Sequence, residues 1–289
     1  MKHAYLIIAH NEFKILEKLV HLLDDSRNDI YLHIDRKVKL IPNIKCQHAG
    51  LYVLNEKERL DVRWGSISQI KVELQLFIIA SKNHSYGYYH LISGVHLPIK
   101  NQDYIHKFYE RCNQQEVLQF MSTNEEEITF KIKRLHLFVN NYLNPNKIIR
   151  KIDQLMWVTV LYFEKRLNLY RHCDKYYLKA SQWASLTDKA VRFILKNKTD
   201  ILKEYHHTFC SDEFYLATLL SRHPEMFSIK DSHELLKVQF HRGNPITYTA
   251  EAFMELVNSD CLFARKFSEK HMDVVNRISN HISSKTSIE

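Results

Sequence analysis

Residues 5–9 read YLIIA, His10 and Asn11 break the run, and residues 29–35 read DIYLHID; between them Phe13, Leu16, Leu19, Val20 and Leu23 recur at helical spacing. A continuous apolar run of this length reads as a strand buried on both faces. The spacing that follows predicts an amphipathic helix over Glu12–Leu23, and Asp29–Asp35 predicts a second strand that ends on an acid. Outward from this unit, Leu51–Leu54 predicts a third strand. Ser66–Ser81 predicts a helix with Ser66 as N-cap, and Tyr88–Ile92 a fourth strand before a loop with Gly94 and Pro98. The alternation argues for an α/β fold with a mainly parallel sheet and helices on its faces. Ligands in such sheets bind at the strands' carboxyl ends, here Ala9, His10, Asn11, Asp35, Ser93 and Gly94. Neither GxGxxG nor GxxxxGK[ST] is present, so those two phosphate cradles are unsupported.

Composition narrows the class. With 45% hydrophobic and 26% charged residues the balance is globular, which excludes wholesale disorder. The net charge of +8 admits nucleic acid, a membrane surface or a phosphorylated substrate as partner, or a merely basic solvated surface. The five cysteines, Cys46, Cys112, Cys173, Cys210 and Cys261, contain no CxxC pair and are odd in number. This argues against a zinc or redox motif and a full disulfide framework, and for a reducing compartment. The opening MKHAYLIIAHNEF is too short an apolar run for a signal segment or a span, as is Leu155–Phe163. The expectation is a cytoplasmic protein, at most peripherally attached to a membrane.

Further along, Arg150–Arg171 combines Leu155, Met156, Trp157, Val160, Leu161 and Phe163 with flanking Lys and Arg. Two readings stay open: a basic helix lying in a membrane interface, or a helix covering the core. Lys179–Trp183 (KASQW) reads as a polar-aromatic turn, Ser185–Leu195 and Glu213–Leu220 as helices, Leu235–Phe240 as a strand, and Phe267–Ile282 as a final helix.

Several segments carry candidate chemistry. No Asp-x-Asp occurs, the pair that holds a divalent ion against a diphosphate in many nucleotide-sugar enzymes. In CLFARKF, Arg265 and Lys266 sit between apolar residues that could anchor them. A cation about 4 Å from a phosphate gains roughly 4 kcal/mol at an effective dielectric near 20, so such a pair can replace a metal beside a departing diphosphate; otherwise the two snorkel beside the core. In CSDEFYLATL, Ser211 suits an N-cap, and Asp212 and Glu213 suit the positive end of a helix. Alternatively one of the two carboxylates is a general base for a hydroxyl. Trp64 and Gly65 at a strand-to-helix junction are a ligand wall or a tight turn with a core Trp. Trp183 carries the same alternatives.

Taken together, AYLIIAHN, DIYLHIDRK, RWGSISQI, YYHLISGVHLPIKN, KASQWASLT, SDEFYLATLL, RGNP and LFARKF resemble, in order and spacing, the core-2/I-branching β-1,6-N-acetylglucosaminyltransferase family over about residues 3–267. That family is also similar to peptide O-xylosyltransferases. The resemblance implies a GT-A-type, Rossmann-like nucleotide-sugar fold and inverting transfer from a UDP-sugar donor. N-acetylglucosamine is the first expectation, and xylose, glucose, galactose or glucuronate the alternatives. It implies no required metal or other cofactor. By motif, Glu213 is the base, and Arg265 and Lys266 hold the diphosphate. Ala9, Asn11 and Asp35 line the uridine pocket, Trp64 and Gly65 wall the nucleotide-sugar side, and Gln182 and Trp183, with Asp212, lie near the donor sugar or acceptor. Two departures stand out: His96 replaces the Asp that usually follows LISG, and Leu236, beside Lys237, replaces an Arg that also binds phosphate.

The resemblance further implies one glycosyltransferase domain over residues 1–289. Residues 1–120 form a nucleotide-binding half, 121–267 an acceptor and catalytic half, and 268–289 a C-terminal helix and tail. It looks like a bacterial member acting on a lipid-linked glycan for surface polysaccharide or lipooligosaccharide at the inner membrane, with residues 150–171 able to dock on anionic lipid. The rival classes are a basic nucleic-acid-binding module, for which no recognition motif appears, and a non-catalytic membrane scaffold. No nucleic-acid partner is expected.

Overall fold

The YLIIA run lies inside β1 (His3–Ala9), whose alternate side chains enter two different cores. Tyr5, Ile7 and Ala9 pack in one hydrophobic cluster with α1 (Phe13–Leu22), and Ala4 and Leu6 pack in a second with α2 (Ser68–Asn83). A strand covered on both faces has no polar side to show, which is why its sequence does not alternate. Each large aliphatic side chain buried this way contributes about 1.5–3 kcal/mol. The computed structural model describes residues 1–172 and 174–286; Cys173 and residues 287–289 of the expected tail lie outside the described residues.

After β1 and α1 the chain forms β2 (Asn28–Ile34), β3 (Gly50–Val53), α2, β4 (Tyr88–Ser93), β5 (Leu97–Pro98) and α3 (Gln102–Arg111). Next come β6 (Glu116–Leu118), α4 (Glu125–Ile128), α5 (Lys147–Leu167), β7 (Ser185–Leu186), α6 (Asp188–Lys196), α7 (Lys198–Glu204) and α8 (Tyr215–Ser221). The last elements are β8 (Ile229–Asp231), β9 (Leu236–Lys237), β10 (Phe240–His241), β11 (Asn244–Pro245), α9 (Phe253–Val257), β12 (Phe263–Ala264) and α10 (Met272–Thr286).

The main sheet has seven strands in the order β3-β2-β1-β4-β7-β6-β8. β1 runs parallel to β2 and β4, β2 to β3, and β6 to β8; β7 alone is reversed, between β4 and β6. Helices α1, α3 and α10 cover one face, and α2, α6 and α8 the other. The mainly parallel α/β sheet with helices on both faces is therefore as the sequence indicates. A second small sheet, β5-β12-β9, stands beside it and fixes the residue after β12, Arg265.

Several local expectations need correction. Ser185–Leu195 is not one helix. Ser185 and Leu186 pair with β4, and Thr187 starts α6 by accepting from the Ala190 N–H. Ser211 does not cap the helix: its buried hydroxyl has no hydrogen-bond partner among the described residues. Residues 211–213 form a 3-10 turn, and α8 begins only at Tyr215. The expected strand Leu235–Phe240 splits into β9 and β10, the latter pairing with β11 across a turn at Arg242 and Gly243, both with positive φ. The last helix begins at Met272, because Phe267 is fully buried and its N–H is bonded to the Val95 carbonyl.

One long-range clasp closes the fold. Glu12, in the left-handed region (φ 54°), accepts from the Ser268 hydroxyl (2.9 Å) and the Glu269 N–H (2.6 Å), tying the loop after β1 to the chain entering α10.

Candidate active site

The first group of candidates lies where the paired strands β1 and β2 end. The Asp35 N–H donates to the Ala9 carbonyl (2.8 Å), so these two expected ligands lie side by side, while Asn11 is exposed beyond them. The Asp35 carboxylate is buried and already engaged. It accepts from the Lys37 ammonium and N–H (both 2.8 Å) and from the Val62 N–H (3.1 Å). Arg59, not singled out in the sequence, is buried beneath this loop and donates to the Ile34, Asp35 and Val38 carbonyls. Desolvation lowers the pKa of His10 at the rim; the nearby Asp35 carboxylate opposes this, and Lys37 and Lys266 reinforce it. Lys266 therefore acts electrostatically on the same strand ends as Asp35.

The segment Lys179–Trp183 joins the remaining candidates. It is an extended crossing rather than a turn: Ala180 bridges Phe120, and Ser181 donates to the Gln119 carbonyl. Its first residues hold Glu213, because the Ala180 N–H donates to the Glu213 carbonyl (2.8 Å) and Lys179 lies 3.7 Å from Glu213 Oε2. Its Gln182 amide donates to Glu73 Oε1 (2.7 Å). The Trp183 ring faces the Arg265 guanidinium at 5.3 Å. From Ala180 to Trp183 the strip spans at most about 10 Å, and it touches the Glu213 carbonyl at one end and the Arg265 guanidinium at the other.

Glu213 is partly exposed, and Lys131 Nζ reaches its Oε2 at 2.8 Å. Burial opposes the charge on Lys131, but Glu213 overrides it and raises the ammonium's pKa. Glu127 completes the network with Lys131 (2.9 Å) and Lys179 (2.6 Å); burial pushes its carboxyl up, yet bonds from Lys179, Lys131 and Thr123 bring it down to about 2. Asp212 differs from its neighbour. It is buried, accepts from the Gln69 amide (2.8 Å), and leaves Oδ1 without a partner among the described residues. Burial, then Glu213, push its carboxyl up to about 7. Glu73, in the middle of α2, was missed in the sequence. It is fully buried between Gln182 and the Tyr215 hydroxyl, and burial followed by Asp212 pushes it up to about 8. Gln182 is thus committed to Glu73. Among the described residues no group of three or more His, Cys, Asp or Glu side chains is placed to share a metal ion.

Arg265 is largely buried, and among the described residues no carboxylate pairs with it. Its Nε is buried without a partner, and desolvation lowers the guanidinium's pKa to about 10. His96, the replacement after LISG, is buried beside the same Trp183, with ring centroids 4.9 Å apart. Its Nδ1 accepts from the Ser93 N–H (3.1 Å), which puts the proton of the neutral ring on Nε2, a buried atom without a partner among the described residues. The Lys237 ammonium, beside Leu236, is paired with Glu255 at 2.9 Å.

Trp64 is 48% exposed, and its ring packs on Tyr142 and Phe209 at 5.6 and 5.4 Å. Gly65 has φ +74°, and a Cβ there would lie 2.6 Å from the Phe209 ring, so only glycine allows this approach. Its carbonyl accepts from the Cys210 N–H (2.9 Å), fixing the loop that carries Asp212 and Glu213. Behind this wall a cavity of about 210 Å³ is lined by Ile67, His136, Phe138, Val139, His207 and Thr208 among others.

An open, mainly parallel α/β sheet with candidate residues gathered at its strand ends is the architecture of an enzyme that binds its ligand there. The profile of the family described as "Branch: Core-2/I-Branching enzyme" matches residues 3–259, and the chain belongs to that family. It is therefore a glycosyltransferase, and its mixed α/β sheet agrees with the GT-A-like fold of the family. The matched range stops short of Arg265 and Lys266. A search among curated proteins finds no match.

Proposed function

We propose that the chain is an inverting, metal-independent transferase that moves a sugar, N-acetylglucosamine first among the candidates, from a UDP donor to a glycan hydroxyl. One observation carries the reading: the Lys179–Trp183 strip links a partly exposed carboxylate, Glu213, to a largely buried cation, Arg265, with which no carboxylate pairs among the described residues. Lys131 and Lys179 both meet Oε2 of Glu213, which leaves Oε1 to take the acceptor proton. The acceptor oxygen bonds to the anomeric carbon as the bond from that carbon to the diphosphate breaks. UDP leaves with the electron pair, and Arg265 and Lys266 meet its charge. In-line attack inverts the anomeric configuration. Ala9, Asn11 and Asp35 form the uridine side, with Asp35 offering its remaining acceptor capacity to the base. Asp212 and Glu73 position the cluster, since burial keeps much of each carboxyl protonated near neutral pH.

The remaining reading puts the acceptor on a lipid at the cytoplasmic face of a bacterial membrane, in surface polysaccharide or lipooligosaccharide synthesis. The test is UDP release from a panel of UDP-sugars with and without EDTA. Turnover that survives EDTA supports the reading. Loss of all turnover in EDTA, restored by Mn²⁺, rejects the metal-free step, and no turnover or UDP binding with any donor rejects the donor class.

A further inference from the structure

Helix α5 is mounted with most of its apolar side chains pointing away from the protein. At 3.6 residues per turn, Ile148, Ile152, Leu155, Thr159, Tyr162 and Phe163 form a stripe roughly 100° wide opposite Trp157. Ile148, Leu155 and Tyr162 are 71%, 69% and 64% exposed, and Ile152 and Phe163 are also exposed. The buried residues of the helix are Trp157, Leu161 and Glu164. Trp157 anchors it by donating from Nε1 to His136 Nδ1 (2.9 Å) and packing on Phe209 at 5.5 Å. A helix that covered the core would show the opposite arrangement. The patch continues through exposed Leu169 and Tyr170.

The charges around the stripe are of one sign. Lys147, Lys151, Lys165 and Arg166 are exposed. Both acids of the helix are turned away: Asp153 accepts from the Asn141 amide (2.7 Å), and Glu164 accepts from the Leu135 N–H (2.8 Å). A second copy of the chain pairing through α5 would set cation against cation, whether the helices ran parallel or antiparallel, and like charges repel. An anionic surface with an apolar interior matches both properties at once. Among the described residues no helix is long and apolar enough to cross a membrane, so the helix would lie in the interface plane.

We infer that the outward face of α5, from Ile148 to Leu167, docks on the surface of an anionic phospholipid bilayer, with Leu155 and Phe163 entering the acyl boundary. Phe209, against which Trp157 packs, also touches Trp64 and directly precedes the loop of Asp212 and Glu213. Docking here therefore sets the transferase site close to the bilayer surface. The inference stands on the helix alone and does not depend on the reaction proposed above.

The test is flotation of the full chain with vesicles of phosphatidylcholine alone or of equimolar phosphatidylcholine and phosphatidylglycerol, with light scattering of the free protein in parallel. At about 1 kcal/mol per cation near the surface, the four cations favour the anionic vesicles by roughly three orders of magnitude before salt screening. Leu155→Glu and Phe163→Glu should each lower partitioning at least about tenfold, with far-UV circular dichroism and UDP binding unchanged. Equal binding to both vesicle types, or binding that survives both variants, overturns the inference. So does a chain that stays with neither vesicle and scatters as a dimer that Leu155→Glu makes monomeric, which would assign the face to a second copy. A monomer that binds neither vesicle overturns it as well.

Discussion

Replacing Arg265 by Met should make the free enzyme more stable and its complex with UDP weaker. The guanidinium is largely buried, no carboxylate pairs with it among the described residues, and burial alone lowers its pKa to about 10. A depressed cationic pKa means that the charge destabilises the native state at every pH below the folded value, hence fully at neutral pH. The depression corresponds to on the order of 3 kcal/mol. Loss of the Trp183 contact takes back about 1–2 kcal/mol, leaving a net gain of about 1–2 kcal/mol. That is a rise of roughly 2–3 °C in the Tm of the unliganded protein for a chain of this size. With UDP the sign reverses: a cation about 4 Å from a phosphate supplies roughly 4 kcal/mol before desolvation. A net loss of about 2–3 kcal/mol weakens Kd roughly 30- to 150-fold. Differential scanning fluorimetry with and without UDP, and calorimetric titration, read both effects. A variant with a lower unliganded Tm and an unchanged Kd for UDP would refute the assignment of Arg265 as a cation held ready for phosphate.

Three further outcomes follow from the same geometry. Glu213→Gln should cut kcat about 100-fold or more while the Kd for UDP stays within about twofold, read from initial rates and titration; wild-type kcat would move the base to Asp212. The Glu73 carboxyl, pushed up to about 8, contributes stability that is full below its unfolded pKa near 4.5 and lost as pH rises through 8, so Glu73→Gln should flatten the fall of Tm across that window. Gly65→Ala should cost about 2–4 kcal/mol in denaturant unfolding, combining a left-handed backbone with a methyl driven into the Phe209 ring.

Legibility in the sequence followed how local each cause was. The β1–α1–β2 unit was readable because two buried faces leave a continuous apolar run. The strip Lys179–Trp183 was readable as a special segment through its residue types, but its extended course depends on the bridge to Phe120. Glu73 left no local signal: an acid inside a helix counts as polar surface, and the partners that bury it lie 109 and 142 residues further on. Helix α3 begins at the Asn101 side chain, which accepts from the Tyr104 N–H, a capping signal that was present and unread. The strands β5, β9 and β12 have two residues each, too few for any periodicity, although their pairing holds Arg265. In α5 the apolar pattern was evident, but its direction was not. A single indole bonded to His136 decides which side faces inward, and that partner is brought up by tertiary packing.

The clasp between Glu12 and the Ser268–Glu269 backbone has a consequence for the order of assembly. The loop that follows the first strand is translated 256 residues before the Ser268 hydroxyl that steadies it. A nascent chain therefore carries that loop without its clasp until residue 269 has emerged. Pulse-labelled chains halted before residue 268 should retain no nucleotide on an immobilised UDP matrix, whereas chains released beyond residue 286 should be held.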